Sequence, residues 1–294
     1  MNKQPTPSSP SAQADIRLSC ADFTFPLLSH DRSLDLIRDL GFDGVDIGFF
    51  EGRSHIQPSL ALAAAGPAAR NLRESCEGRG LKIADLFLQP GAELGILSVN
   101  HPEAAERERS REIFRRSLDF ALDCGAEHLS VLPGVPWDDG EASFERAVEE
   151  LAWRSELSAR AGLPLSCEAH VGSVVPSPAG ALRLFEAVPD LGLVLDCSHF
   201  VVPGYPWEEI EKLIPHAVHV HARGACRDRI QVVAAENTID FAALVRSLRE
   251  RHYTGWMCAE YVWMPKWDCD RVDNLSETIL LRDVLLNELS GSRE

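Results

Sequence analysis

Three carboxylates and an imidazole recur along the second half of this chain in one local setting. Glu168 closes the run LPLSCE, Asp196 closes LGLVLD, His221 closes AVHVH and Glu260 closes GWMCAE. Each run is apolar enough to be buried, and each functional side chain stands where the run stops. A carboxylate buried in such a place is costly unless it is paired or bound to a cation. Three carboxylates and one imidazole make a mainly oxygen-donating set. That set suits one hard divalent ion, Mn2+ first, Mg2+ or Co2+ next, and Zn2+ less well. For any single residue the competing reading is a helix cap or an ion pair with a nearby arginine. Four in succession argue for one site.

One mouth can collect four such residues only if the strands run parallel and close on themselves. The spacing predicts strands at 16–20, 44–50, 81–88, 127–133, 163–168, 191–196, 217–221 and 255–260. Amphipathic segments alternate with them. In SLDLIRDLG, Leu34, Ile37 and Leu40 form a stripe before a glycine. In REIFRRSLDFALDCG, Ile113, Leu118, Ala121 and Leu122 form another, with Gly125 as the stop. DFAALVRSLRERHYTG and DNLSETILLRDVLLNEL have the same pattern. Eight such units predict an α/β fold, a single (β/α)8 TIM barrel over residues 16–294. A doubly wound sheet usually carries a glycine-rich phosphate loop after its first strand, and here that strand leads into ADFTFP. Residues 1–15, polar and rich in Pro, Ser and Gln, read as a disordered tail without the apolar core of a secretory signal.

Bulk composition narrows the partners. With 29 basic against 45 acidic residues, the formal net charge is −16. Nucleic-acid binding rests on clustered Lys and Arg, so this balance argues against it. No apolar run approaches the ~20 residues that span a bilayer, so no membrane partner is expected. The eight cysteines are scattered without a CxxC pair, which fits neither a zinc ribbon nor a disulfide scaffold and points to a reducing cytoplasm.

The neighbours of the four residues extend the site. His170 follows Glu168 as E-x-H and could orient it; an ordinary loop histidine is the alternative. His199 follows Asp196 as D-x-x-H and could reach a substrate from the loop. His219 faces the same side as His221 but deeper, and reads as a packed, hydrogen-bonded barrel histidine. Arg223, Arg227 and Arg229 cluster after strand seven, where barrels often hold phosphate; a solvated basic loop is the plainer alternative. Phe49, Phe50, Trp137, Tyr261, Trp263 and Trp267 fall near the expected mouth and suit a sugar ring or an aglycone, or simply pack the loops; His55 is a further acid candidate.

These pieces, CEAH, LDCSHF, HVHARGACR, AENTIDF and HYTGWMCAE, resemble the xylose isomerase-like barrel superfamily. That group includes sugar isomerases, ketose 3-epimerases, inosose dehydratases and an apurinic endonuclease type. The resemblance implies that Glu168, Asp196, His221 and Glu260 are the metal ligands, and that His199 and Arg227 contact substrate oxygens. It implies a divalent-metal-dependent isomerase or epimerase of a keto sugar or sugar derivative, working through an enediolate, with Glu168 and Glu260 as the proton carriers. The substrate would be a sugar or polyol, and assembly as a homo-oligomer is compatible with this. A lyase on the same scaffold is the alternative, either an inosose-type dehydratase or a 3-oxo-glycoside eliminase. A non-catalytic metabolite-binding barrel ranks lower. The endonuclease type needs further histidines at the ends of strands three and four, which here read FLQPG and VLPGV. This chain also departs from the family pattern after His221, with Ala222-Arg223-Gly224 in place of an HxHxKD-like run, and in the segment Ala235–Asp240.

Overall fold

The eight expected strands form and close. A computed structural model describes residues 16–291; the expected tail at 1–15, like residues 292–294, lies outside the described residues. The strands are β1 (Arg17–Ala21), β2 (Gly44–Phe50), β3 (Lys82–Gln89), β4 (Leu129–Val131), β5 (Leu165–Glu168), β6 (Gly192–Asp196), β7 (Ala217–Ala222) and β8 (Trp256–Ala259). Each pairs in parallel with the next and β8 pairs with β1, giving a closed barrel. Long helices pack outside, including His30–Asp39, Ala104–Cys124, Glu141–Ala161, Phe241–Glu250 and Asn274–Ser290. None of the described helices is long and apolar enough to cross a membrane. All eight cysteines are buried and free.

Local signals explain where the elements start and stop. Asp240 caps the helix Phe241–Glu250 by accepting from the Ala243 amide, and Asp273 caps the last helix by accepting from the Leu275 and Ser276 amides. Gly125 ends the helix Ala104–Cys124 with φ +79°, in the left-handed region that a Cβ disfavours. The buried stripe of that helix differs from expectation. Leu122 is 40% exposed, while Phe114, Leu118, Phe120 and Ala121 turn inward, and Phe120 stacks on Phe49 of β2 at 5.0 Å. Phe120, two residues before Leu122, points to the barrel where Leu122 points to solvent.

Register then decides which side chains enter the barrel. Alternate residues of a strand point to the same face. Asp196 is paired with His221, His221 with Cys258, and Val194 with both Glu168 and His219. Glu168, Asp196, His219, His221 and Glu260 therefore share the inner face. Asp46 of β2 and Asp85 of β3 are also in register with one another. Most of the apolar core lies in the outer layer, between strands and helices. Inside, β2 needs a glycine at position 48, because a Cβ there would lie 2.6 Å from Phe23 Cδ1 and 3.1 Å from Phe50 Cε2. Gly48→Ala should cost about 1–3 kcal/mol by overpacking, read as a lower urea midpoint at unchanged slope. An unmoved midpoint would show that the rings have room to spare.

Candidate active site

Glu168 and Asp196 are the last residues of β5 and β6, His221 is next to last in β7, and Glu260 follows β8 directly. All four are buried. His221 Nδ1 lies 2.7 Å from Glu168 Oε1 and 3.5 Å from Glu260 Oε1, so one imidazole nitrogen faces two carboxylates. Asp196 stands with Glu168 and His199 in a second, overlapping group of donors. His199 Nε2 is 3.6 Å from Asp196 Oδ2 and 3.9 Å from Glu168 Oε2.

The electrostatics follow from burial. Burial pushes the Glu260 carboxyl up to about 7, against the pull of His221 and Arg223. Burial acts on Glu168 in the same direction, but the hydrogen bond and charge of His221 outweigh it and hold that carboxyl at about 2. Burial pulls the His221 imidazole down, yet Glu260, Asp46 and Glu168 together push it well above its ordinary value. His199 has weaker help and burial takes it down to about 4. The crowded acids thus outweigh burial at the one imidazole between them. Glu260 Oε2 and His221 Nε2 have no hydrogen-bond partner among the described residues. Glu168, His221 and Glu260 each offer a donor within 4.8 Å of the others. That donor chemistry, with a buried carboxylate oxygen that accepts no hydrogen bond, fits a hard divalent cation.

The site opens into a cavity of about 270 Å3. Its polar lining is Gln89, Glu168, His170, His199, Arg223 and Glu260, and its apolar lining includes Phe23, Phe50, Phe87, Leu132, Val262 and Met264. Arg53 and Lys266 stand at the rim with Glu93 and Trp267. Arg53 donates to Gln89 Oε1 at 2.7 Å and stacks on Phe50.

Several expected residues are placed elsewhere. Arg227 is exposed and lies in a separate groove beside Tyr205 and Trp207, its guanidinium over Gly204. Arg229 is exposed and paired with Glu236 at 2.7 Å. The expected arginine cluster is therefore split, and only Arg223 turns into the barrel. Its place on the inner face follows from the alternation 219, 221, 223. His170 lines the cavity, but its Nδ1 donates to the Val171 carbonyl at 2.8 Å, so Glu168 is oriented by His221 instead. His55 stacks on His30 away from the cavity. Trp137 donates to Asn100 and packs a loop, and Tyr261 is buried with its hydroxyl accepting from the Gly224 amide.

Beneath the site lies a polar belt that the strand-end pattern does not reveal. His219 Nε2 stands 2.5 Å from Asp46 Oδ2, and Ser19 donates to Asp46 Oδ1 at 2.7 Å. Asp46 Oδ2 is also 3.5 Å from His221 Nε2, so it backs the imidazole whose other nitrogen faces the acids. Asp85 is held by His128 at 2.7 Å and by Ser130, and the His128 and His219 rings stack at 5.5 Å. The signal was a lone acid inside each apolar strand, in GVDIGFF and in KIADLFL. The packed role expected for His219 is what the structure has.

The chain belongs to the xylose isomerase-like TIM barrel family, whose model matches residues 34–282. No curated protein matches its sequence. Similar solved structures include a xylose isomerase-like TIM barrel protein from Mycobacterium smegmatis in complex with magnesium. It is 17% identical, with TM-score 0.73 over 94% of this chain and 97% of that one. A D-allulose 3-epimerase from Methylomonas sp. is 14% identical, with TM-score 0.73 over 94% and 98%. A probable 3-DHS dehydratase involved in petrobactin synthesis, from Bacillus anthracis, is 15% identical, with TM-score 0.68 over 91% and 99%. At these identities the likeness is one of fold.

Removing Asp46 would strand both His219 and Ser19 in the barrel interior. Asp46→Ala should therefore lower stability by about 3–5 kcal/mol, the range for breaking a buried pair, measured by chemical denaturation. A loss under about 1 kcal/mol, the worth of an exposed pair, would mean that the belt is not what supports His221.

Proposed function

We propose that this barrel is a divalent-metal-dependent isomerase or epimerase acting on a keto sugar or sugar derivative. The observation that carries the reading is that Glu168 and Glu260, from β5 and from beyond β8, line one cavity with His221 Nδ1 between them. Glu168, His221 and Glu260 would hold the ion, with Asp196 beside them as the fourth ligand that the family resemblance suggests. A bound divalent cation polarises a carbonyl and its neighbouring hydroxyl, which acidifies the adjoining C–H. The rest is work for the chain's own side chains. Glu168 and Glu260 are the two carboxyl groups placed to take and to return a proton. Two carboxyl groups on different sides of a substrate permit removal on one face and return on the other. His199 and Arg223 supply polar contacts to substrate oxygens at the cavity floor. The Phe23, Phe50 and Phe87 wall excludes water from the less polar end.

The same wall favours a second reading, a lyase on a substrate with an apolar leaving portion. The dehydratase among the structural neighbours is in keeping with it. The ion is Mn2+ in our reading, the substrate a free small molecule, and the compartment the cytoplasm.

Incubation of the Mn2+-loaded protein with a panel of ketoses in D2O should give deuterium at the carbon beside the carbonyl. Chelation should abolish it and Mn2+ restore it. Glu260→Gln should slow exchange by about 10^2–10^4-fold, the usual worth of an acid–base group. Exchange on none of the sugars would sink the isomerase reading. An unsaturated product or a released aglycone would select the lyase.

A further inference from the structure

Two cations at the rim of the cavity have no acid to answer them. Acidic residues outnumber basic ones 45 to 29 in this chain, and Arg223 and Arg229 each pair with one. Arg53 and Lys266 line the active-site cavity, yet neither forms an ion pair among the described residues. Glu93 lines the same rim, out of ion-pair reach of both. Arg53 is nonetheless firmly held. Its Nη2 donates to Gln89 Oε1 at 2.7 Å, and its guanidinium lies over the Phe50 ring at 4.1 Å. Gln89 is buried and donates from Nε2 to the Gly91 carbonyl at 2.9 Å, which fixes its amide. Phe50 and Gln89 end β2 and β3, so the barrel wall orients a guanidinium that belongs to a loop. Nε, Nη1 and the second Nη2 hydrogen remain without a protein partner, enough for a two-point contact. Arg53 is open to the cavity but crowded by protein. Burial pulls its guanidinium below the ordinary value, and Glu260 and Glu168 oppose that. The Lys266 ammonium stands 4.7 Å over the Trp267 ring, on the same cavity.

We propose that Arg53, assisted by Lys266, binds a carboxylate at the non-reacting end of the substrate, which makes that substrate a keto sugar acid. This rests on the proton-transfer reading above and names its substrate class. The acids at the floor are answered by His221, by Arg223 and by the ion, which leaves the rim charge to the ligand. A planar carboxylate matches the guanidinium fork through two parallel hydrogen bonds. A phosphate brings about two negative charges and three acceptor oxygens. One oriented fork beside a phenylalanine wall suits it less well. Held at the rim by its carboxylate, a substrate presents its carbonyl end to Glu168 and Glu260 in one orientation.

The test compares ketohexoses with the ketohexuronates that carry a terminal carboxylate in place of the terminal hydroxymethyl group, and with the terminal phosphate esters. Full-length protein loaded with Mn2+ is used throughout. Calorimetry reads binding, and deuterium uptake from D2O reads turnover. A ketohexuronate should bind about 10–100-fold tighter than its ketohexose, the worth of hydrogen bonds to a charged group, and should show the higher kcat/KM. Arg53→Met should erase that preference. Arg53→Lys, which keeps the charge without the planar fork, should keep part of it, and Lys266→Met should weaken it less than Arg53→Met does. Tighter binding of the neutral sugars or of the phosphate esters overturns the proposal, as does a ketohexuronate preference that survives in Arg53→Met. Deuterium uptake in those cases leaves the proton-transfer reading standing. Arg53-dependent ketohexuronate binding without deuterium uptake on any compound upholds the carboxylate site and overturns the proton-transfer reading. No ketohexuronate binding by the wild type overturns the proposal outright.

Discussion

Carboxylates that cannot reach water must find positive charge, and that constraint organises the inside of this barrel. Glu168, Asp196 and Glu260 are brought to one buried mouth by strand register, and Asp46 lies just beneath. Every one of them has a cationic or hydrogen-bonding partner close by. Arg223 answers Asp196, His221 answers Glu168, and His219 with Ser19 answers Asp46. Glu260 is the one left short. It retains an oxygen without a hydrogen bond, and burial pushes its carboxyl up. The remaining demand for charge falls between Glu260, Glu168 and His221, where a divalent ion would meet it.

The supporting structure can be read as a series of devices that keep this arrangement rigid. The belt of Asp46, Asp85, His128 and His219 replaces the branched aliphatic layers that usually fill such barrels. Its Asp46 places a carboxylate 3.5 Å behind the far nitrogen of His221, while the near nitrogen faces Glu168. Buried polar networks of this kind are costly when incomplete. Here the two inner aspartates are satisfied, while His128 Nε2 in the belt and Glu260 Oε2 at the mouth are left without a hydrogen bond. The aromatic wall does the complementary task. Gly48 leaves room for Phe23 and Phe50, whose rings meet edge to face at 5.0 Å, and Phe50 in turn meets Phe87 at 5.1 Å. The cavity is thereby lined by aromatic rings as well as charged groups.

The barrel and its mouth residues were legible because the period of strands is short and strict. Eight apolar runs ending in turn signals gave eight strands, and the ends of the last four gave four residues on one face. Side-chain direction beyond the strands was not legible. Arg223 and Arg227 are four residues apart in one loop, yet the first continues the inward alternation of β7 and the second lies over Gly204 in another groove. His170 follows Glu168 in an E-x-H pattern, but past the strand end its hydrogen bond goes to its own neighbouring carbonyl. The belt is not legible in the sequence because Asp46 and Asp85 sit in mid-strand, where only tertiary pairing with distant histidines makes an acid tolerable.

The central claim is that the crowded acids of the barrel mouth hold one divalent cation between Glu168, His221 and Glu260. Anomalous diffraction from crystals equilibrated with Mn2+ tests it most directly. The account predicts a single strong peak among the carboxyl oxygens of Glu168 and Glu260 and the Nδ1 of His221. A peak among Asp46, His219 and His221 or among Glu168, Asp196 and His199, the two other buried donor groups, or no peak in well-ordered crystals at saturating Mn2+, would contradict it.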